Sequence, residues 1–134
     1  MGDRKINMID NMKGNKISKK TSLGLSENIE GALCYSFGFV TGMIFLFLED
    51  DNKFVRFHAI QSTIVFLPLF IIYVAITFLP MVGMIMDMMS WPIVIPIFSI
   101  IIIILWLFMM YKAFIGEKYK LPIAGDFAEK QIQE

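Results

Sequence analysis

The sequence has 134 residues, and its twelve Lys and Arg balance its twelve Asp and Glu, so the formal net charge is zero. Hydrophobic residues make up 57% of the chain and charged residues only 18%, against roughly 45–50% hydrophobic residues in an ordinary soluble domain. The single cysteine excludes an internal disulfide. The cluster of basic residues in the first 25 positions lacks interleaved aromatics, so no nucleic-acid partner is expected.

Residues 1–25 are predicted to form a flexible basic tail. Six Lys and Arg residues lie in it against two Asp residues, and Gly14 and Gly24 interrupt any helical pattern. A basic segment next to a membrane can bind anionic lipid headgroups, at about 1 kcal/mol per positive charge near the surface. The alternative is a tail that only solubilises the chain.

The first apolar block, at about residues 31–48, is short for a membrane-spanning helix, which needs about 20 apolar residues. We interpret it as a span because stronger candidates follow. Cys34, Gly38 and Gly42 recur every four residues and would share one face of a helix. Small residues on one face allow another helix to approach closely. The partner helix would belong to this chain or to a second copy.

Two further blocks, at about residues 56–79 and 93–115, contain long uncharged stretches. Neither shows a polar stripe at the helical period, so both are predicted to cross a membrane. The connection between them could be a short interfacial helix or a re-entrant piece, with Trp91 at headgroup depth. Residues 26–122 therefore form one helical membrane domain, and 123–134 a polar C-terminal tail. The fold class is all-α, a bundle of three transmembrane helices.

Three spans place the two termini on opposite sides of the membrane. The near-membrane Lys and Arg residues then favour an outside N-terminus slightly, because four lie on the side of the N-terminal tail and six on the other side.

Arg56, His58 and Gln61 stand at the start of the second span, and His58 is the only histidine. On a helix, His58 and Gln61 share a face and Arg56 lies on the opposite side. Arg56 can extend to headgroup phosphates or pair with the preceding acidic loop. His58 and Gln61 are expected to form hydrogen bonds inside the bundle. A proton relay and a docking site for a lipid or protein remain alternatives.

No catalytic chemistry is predicted. The sequence contains no nucleophile and base at a recognisable spacing, no Gly-rich phosphate loop and no pair of intramembrane carboxylates. One histidine and one cysteine make a metal site unsupported. We expect no enzyme activity, no metal and no cofactor.

Two motifs resemble those of a family of small uncharacterised prokaryotic membrane proteins. They are FVRFHAIQ, from Phe54 to Gln61, and GEKYKLP, from Gly116 to Pro122. The family is similar at a distance to the twenty-kilodalton component of the chloroplast inner-envelope import machinery, and some magnetosome membrane proteins look related. The resemblance covers about residues 29–130. It implies a multi-pass protein of the prokaryotic cytoplasmic membrane and gives little on activity.

The two motifs are predicted to meet. If the second and third spans form an antiparallel hairpin, the start of one and the end of the other lie at the same membrane face. We expect a clamp or docking motif there that is built from two groups of residues: Arg56, His58, Gln61, Gly116, Tyr119 and Pro122.

Two functions from different classes follow from this sequence. The first is a structural, assembly or interaction protein that packs with itself or with a membrane partner. The second is a small oligomeric pore or a component of a translocation system. A pore needs a continuous polar lining, which no single predicted helix supplies, so the first function is favoured.

Overall fold

The computed structural model describes Gly2 and residues 21–79 and 91–133. Within residues 21–79 and 91–133 the regular structure consists of five α-helices. They are α1 (Glu27–Ser36), α2 (Phe39–Leu48), α3 (Lys53–Phe78), α4 (Trp91–Phe114) and α5 (Ala124–Gln133).

Helices α3 and α4 are long and apolar enough to cross a membrane. At 1.5 Å per residue each extends about 35–40 Å, more than the ~30 Å hydrocarbon core. Asn52 caps the start of α3, where its side chain accepts hydrogen bonds from the amides of Phe54 (2.9 Å) and Val55 (3.2 Å). Gly116, at φ +79°, ends α4. Its amide donates to Ala113, and the next amide reaches back to Lys112, which is the Schellman pattern.

The first predicted span is not one helix. Helices α1 and α2 are separate, with ten residues each, and the chain reverses direction between them. The reversal is evident at their outer ends, where the Ser22 amide donates to the Glu49 carboxylate at 2.7 Å. The Asn52 side chain likewise donates to Glu27 at 3.1 Å. The segment 31–48 is therefore a helical hairpin, and the structure does not confirm a third span.

The hairpin turns at Gly38 because this position needs a backbone that only glycine adopts readily, at φ +59° and ψ −126°. The turn exposes carbonyls at the end of α1. Three side chains donate to them. The Ser62 hydroxyl approaches the Cys34 and Gly38 carbonyls, both at 2.8 Å, and the Thr41 hydroxyl lies 3.1 Å from the Cys34 carbonyl. The Trp106 indole N–H donates to Tyr35. Such partners allow a helix to end in an apolar environment.

Helix α1 lies between α3 and α4 and contacts both of them, whereas α3 and α4 touch each other little. Helix α2 packs on α3 beside α1. The core forms where the hairpin meets the two long helices, and its most deeply buried apolar members include Cys34, Tyr35, Val55, Met109 and Ala113. Because the hairpin is only about 15 Å long, this core occupies one end of the bundle.

The C-terminal segment, predicted to be a polar tail, is largely the helix α5. Its buried Ala128 packs with Phe57 and Ile60 of α3. The sequence prediction missed the helix because its apolar face is only a few residues wide. The predicted interfacial helix at 80–90 and nearly all of the predicted basic tail lie outside the described residues.

Candidate functional site

The buried polar side chains of the described chain gather at the end of the bundle that holds the hairpin. This end comprises the start of α1, the loop between α2 and α3, the first turns of α3 and the segment after α4. The buried polar residues there are Thr21, Glu30, Glu49, Asn52, His58, Gln61 and Ser62. A bundle end that is rich in buried polar groups is where hydrogen bonds fix the relative positions of the helices.

Gln61 connects α3 to the segment that follows α4. Its amide nitrogen donates to the Tyr119 carbonyl at 3.0 Å, and its side-chain oxygen accepts from the Leu121 amide at 3.4 Å. The same nitrogen also approaches the Tyr35 hydroxyl at 3.4 Å. Gln61 is fully buried. One side chain therefore joins α1, α3 and the 117–121 segment.

Tyr35 and His58 extend this network into the hairpin. The Tyr35 hydroxyl lies 3.1 Å from His58 Nδ1, and both side chains are fully buried. The Tyr35 hydroxyl can accept from the Gln61 amide nitrogen, and the direction of its hydrogen bond with Nδ1 depends on the tautomer of the imidazole. The other ring nitrogen, Nε2, makes no hydrogen bond with a described residue. Aromatic rings of Phe54 and Phe57 flank the imidazole.

Two buried glutamates of this end differ in their surroundings. Glu49 accepts hydrogen bonds from the Ser22 hydroxyl and amide and from the Asn52 amide. Burial alone would raise the pKa of Glu49, but these hydrogen bonds outweigh it and hold the pKa below its usual value. Neither oxygen of Glu30 accepts a hydrogen bond from a described residue. Burial, with a contribution from the Glu49 charge, raises the pKa of Glu30.

Arg56 does not join the network around Gln61. Its guanidinium donates to the Asp50 carbonyl at 3.3 Å, and Asp50 Oδ1 lies 3.8 Å away. The helical period accounts for this, because Arg56 projects from the opposite side of α3 to His58. The predicted motif is thus divided. His58 and Gln61 point into the bundle, and Arg56 points to the surface near the acidic loop.

The second predicted group of residues is also divided. Tyr119 supplies the carbonyl that Gln61 binds, and its ring packs edge-on against Phe108 at 5.1 Å. Gly116 ends α4, and a side chain there would meet Asn28 of α1 at 3.0 Å. Pro122 is exposed and caps the following turn through its carbonyl, which accepts from the Ala124 amide. Leu121, rather than Pro122, is the residue that Gln61 reaches.

Cys34, Gly38 and Gly42 all contact α3, but they do not share a face of one helix, because the chain turns at Gly38. A Cβ at Gly42 would lie 2.9 Å from the Ser62 hydroxyl and 3.0 Å from the Ala59 carbonyl. The Cys34 thiol lies 3.8 Å from the Val55 carbonyl. The close approach predicted from small residues is present, and its partner is α3 of the same chain.

Sequence reasoning did not select Tyr35, Trp106 or Glu30, although all three belong to this end of the bundle. Tyr35 and Trp106 stand inside apolar blocks, where an aromatic residue is ordinarily interpreted as packing. A signal was present for Glu30. It and Glu49 bracket a stretch of only eighteen residues, which is short for a span and suits a hairpin that begins and ends at one membrane face.

The arrangement holds helices together. In the described part of the chain, no three His, Cys, Asp or Glu side chains come close enough to hold a metal ion. Most of the buried polar groups bind one another, with Glu30 as an exception. The hydroxyls of Thr77 and Ser99, further along the long helices, donate to carbonyls of their own helix. The site is therefore best described as a helix-joining network.

Comparisons with known proteins identify relatives. The model of the magnetosome magnetite crystal formation protein family matches residues 21–128. A UPF0132 membrane protein of Methanocaldococcus jannaschii is 47% identical over 114 residues, which cover 85% of this chain and 96% of the relative. One from Archaeoglobus fulgidus is 42% identical over 108 residues, covering 81% and 97%. No solved structure matches. These comparisons do not show the likeness to the chloroplast import component.

Proposed function

Because this chain belongs to the magnetosome magnetite crystal formation protein family, and its archaeal relatives are named membrane proteins, we propose that it is a non-catalytic membrane protein with a structural or assembly role. It would associate with further copies of itself or with another membrane protein. The observation that carries the proposal is that most of its buried polar groups bind one another at one end of the bundle, while the rest of α3 and α4 is apolar.

The proposed arrangement in the membrane has two spans, α3 and α4, and one re-entrant hairpin. Each hairpin helix is about 15 Å long, half of a ~30 Å hydrocarbon core. The hairpin would therefore enter from the face at which α3 begins, turn near the midplane at Gly38 and return to the same face. Its broken backbone is tolerated because it is buried against α3 and α4, where Ser62 and Trp106 satisfy its carbonyls.

This arrangement changes the expected orientation. With two spans, Thr21 and the end of α5 lie at the same face of the membrane. All twelve Lys and Arg residues then belong to segments on that face, and the connection over 80–90 carries none. The three-span arrangement divided the positive charges almost evenly. The two-span arrangement separates them completely, which supports a cytoplasmic location for both termini.

Thiol labelling distinguishes the two arrangements. In a Cys34→Ser background, a thiol at Ser18→Cys is expected to be protected from an impermeant reagent in intact cells and to react after lysis. The three-span arrangement with an outside N-terminus gives the opposite result. A thiol at Gly83→Cys, in the connection between α3 and α4, serves as the control and is expected to react in intact cells. Labelling of both Ser18→Cys and Gly83→Cys from outside would exclude the re-entrant hairpin.

The alternative function, a conduit, needs a polar path from one membrane face to the other. In the described residues the buried polar side chains extend only from the loop before α3 to Ser62. Beyond that level, α3 and α4 offer hydroxyls that are bound within their own helices. The exposed residues of α4 are mostly isoleucine and leucine. This apolar surface favours contact with lipid or with another membrane helix over a pore.

The proposed role is tested by measuring association and permeability together. Single cysteines placed along the exposed positions of α4, in the Cys34→Ser background, are expected to crosslink between copies with a period of 3.6 residues if the protein self-associates. In-membrane crosslinking to a different protein is the result expected for a heterologous partner. Liposomes that contain the protein should keep an imposed pH gradient. Collapse of that gradient by the wild-type protein would favour the conduit instead.

A further inference from the structure

A groove of about 340 Å³ lies on the outer side of α3, between α2 and α5. It is separate from the Gln61 network, on the opposite side of α3. Its lining combines one cation, two polar side chains and four apolar ones. The lining residues are Arg56, Thr63, Gln131, Leu46, Ile60, Ile64 and Phe127. The groove is thus charged at one position and mainly apolar elsewhere.

Arg56 retains unused binding capacity in this groove. A guanidinium carries five N–H donors, and Arg56 donates a hydrogen bond only to the Asp50 carbonyl within the described chain. The Asp50 carboxylate at 3.8 Å is too distant for a hydrogen bond, and its side chain is 84% exposed. Such a surface ion pair contributes little. The Arg56 side chain is 33% exposed, so an anionic ligand can approach it.

The polar and apolar parts of the groove follow one another along α3. Arg56 lies one turn from the start of the helix. Ile60 and Ile64 lie four and eight residues further on, about 6 Å and 12 Å deeper at 1.5 Å per residue. Leu46 of α2 and Phe127 of α5 complete the apolar walls. Thr63 donates to the carbonyl of Ala59 at 2.9 Å, so its hydroxyl needs no ligand.

A phospholipid has the same order of parts, with a charged headgroup followed by apolar acyl chains. We propose that the groove binds one anionic glycerophospholipid, with Arg56 bound to the headgroup phosphate and an acyl chain lying along Ile60 and Ile64. The inference rests on the proposed membrane arrangement, in which Arg56 lies at headgroup depth. Arginine suits the role because its planar fork can donate two hydrogen bonds to a phosphate. Gln131, at the side of α5, can donate to the same headgroup.

A free phosphate ion would match Arg56 equally well but would leave the apolar walls unfilled. A lipid fits the groove better than a free ion does, because the apolar walls begin beside Arg56 and run toward the membrane interior. The larger groove at the hairpin tip, of about 530 Å³, is lined by residues such as Phe39, Phe66 and Ile103 and includes no charged residue. It therefore offers no comparable recognition of a headgroup.

The test is native mass spectrometry of the full chain in non-ionic detergent, titrated with phosphatidylglycerol. We expect Arg56→Gln to weaken binding about tenfold, the factor that one charge-assisted hydrogen bond supplies. Lys53→Gln is the matched control, since it removes the same charge at an exposed position of the same helix outside the groove. It should change binding less than about twofold. Ile64→Ala should weaken binding through the apolar wall, with Arg56 intact.

Two further arms identify the ligand chemistry. Diacylglycerol with the same acyl chains should bind about tenfold more weakly, because it lacks the phosphate. Inorganic phosphate should not displace bound phosphatidylglycerol. Equal losses in Arg56→Gln and Lys53→Gln would overturn the proposal in favour of non-specific attraction, and displacement by phosphate would overturn it in favour of an ion site. Thiol labelling of Ser18→Cys tests the membrane arrangement separately, so a failure of the lipid site alone is recognisable.

Discussion

Gly42→Leu is expected to destabilise the protein by about 3 kcal/mol, the upper end of the cost of overpacking. Helix α2 approaches α3 closely at Gly42. An added Cβ would already lie 2.9 Å from the hydroxyls of Ser62 and Thr63 and 3.0 Å from the Ala59 carbonyl. The hydroxyls can rotate away, but the Ala59 carbonyl belongs to the backbone of α3 and cannot. The remainder of a leucine side chain would force α2 away from α3.

Thermal unfolding in detergent measures this effect. A loss of about 3 kcal/mol corresponds to a fall in melting temperature of roughly 10 °C for a chain of this size. Ile44→Phe provides a control, since it adds volume to the same helix at a side chain that is 48% exposed. It should leave the melting temperature nearly unchanged. Equal melting temperatures of the wild type and Gly42→Leu would mean that α2 does not pack on α3 as described.

The two long helices could be predicted from the sequence because length and the absence of charge define them. The expected spans at about 56–79 and 93–115 correspond to α3 and α4 within a few residues. The first block has the same composition, but hydropathy carries no information on chain direction. Its reversal depends on Gly38, on a hydroxyl at Ser62 and on an indole at Trp106, the last two distant in sequence. A glycine repeat at Gly38 and Gly42 is equally compatible with one continuous helix.

Within the site, the sequence predicted only those side-chain directions that follow from helix periodicity. The helical period of 3.6 residues predicted that Arg56 and His58 lie on opposite sides of α3, and the structure confirms this placement. The antiparallel directions of α3 and α4 were enough to predict that Gln61 lies at the same end of the bundle as the segment after α4, although α1 lies between the two helices. Which residue it meets could not be predicted, since Leu121 and Tyr119 are reached through an irregular segment. Tyr35 enters the site only because the hairpin carries α1 between the two long helices.

Gln61→Leu is expected to loosen the segment that follows α4 while the long helices remain folded. Leucine has a volume close to that of glutamine, so the packing of α3 is preserved and the loss is that of hydrogen bonds. The Tyr35 hydroxyl is fully buried and would lose one donor. The Tyr119 carbonyl and Leu121 amide belong to a more exposed segment, where water can replace the side chain. Membrane-protein hydrogen bonds average about 0.6 kcal/mol with a maximum near 1.7, so a global loss of about 1–2 kcal/mol is expected.

The local effect should be larger than the global one, because Gln61 is the direct hydrogen-bonded link between α3 and the 117–121 segment. Amide hydrogen exchange over residues 117–133 should accelerate by about tenfold, the factor that ~1.4 kcal/mol of local stability represents. Exchange in the first turns of α3 should change little. Thr63→Val is the matched control, since the Thr63 hydroxyl bonds only to the carbonyl of Ala59 in its own helix. If Gln61→Leu left exchange over 117–133 unaltered, the packing of Ala128 against Phe57 and Ile60 of α3 would be what holds this segment to the bundle.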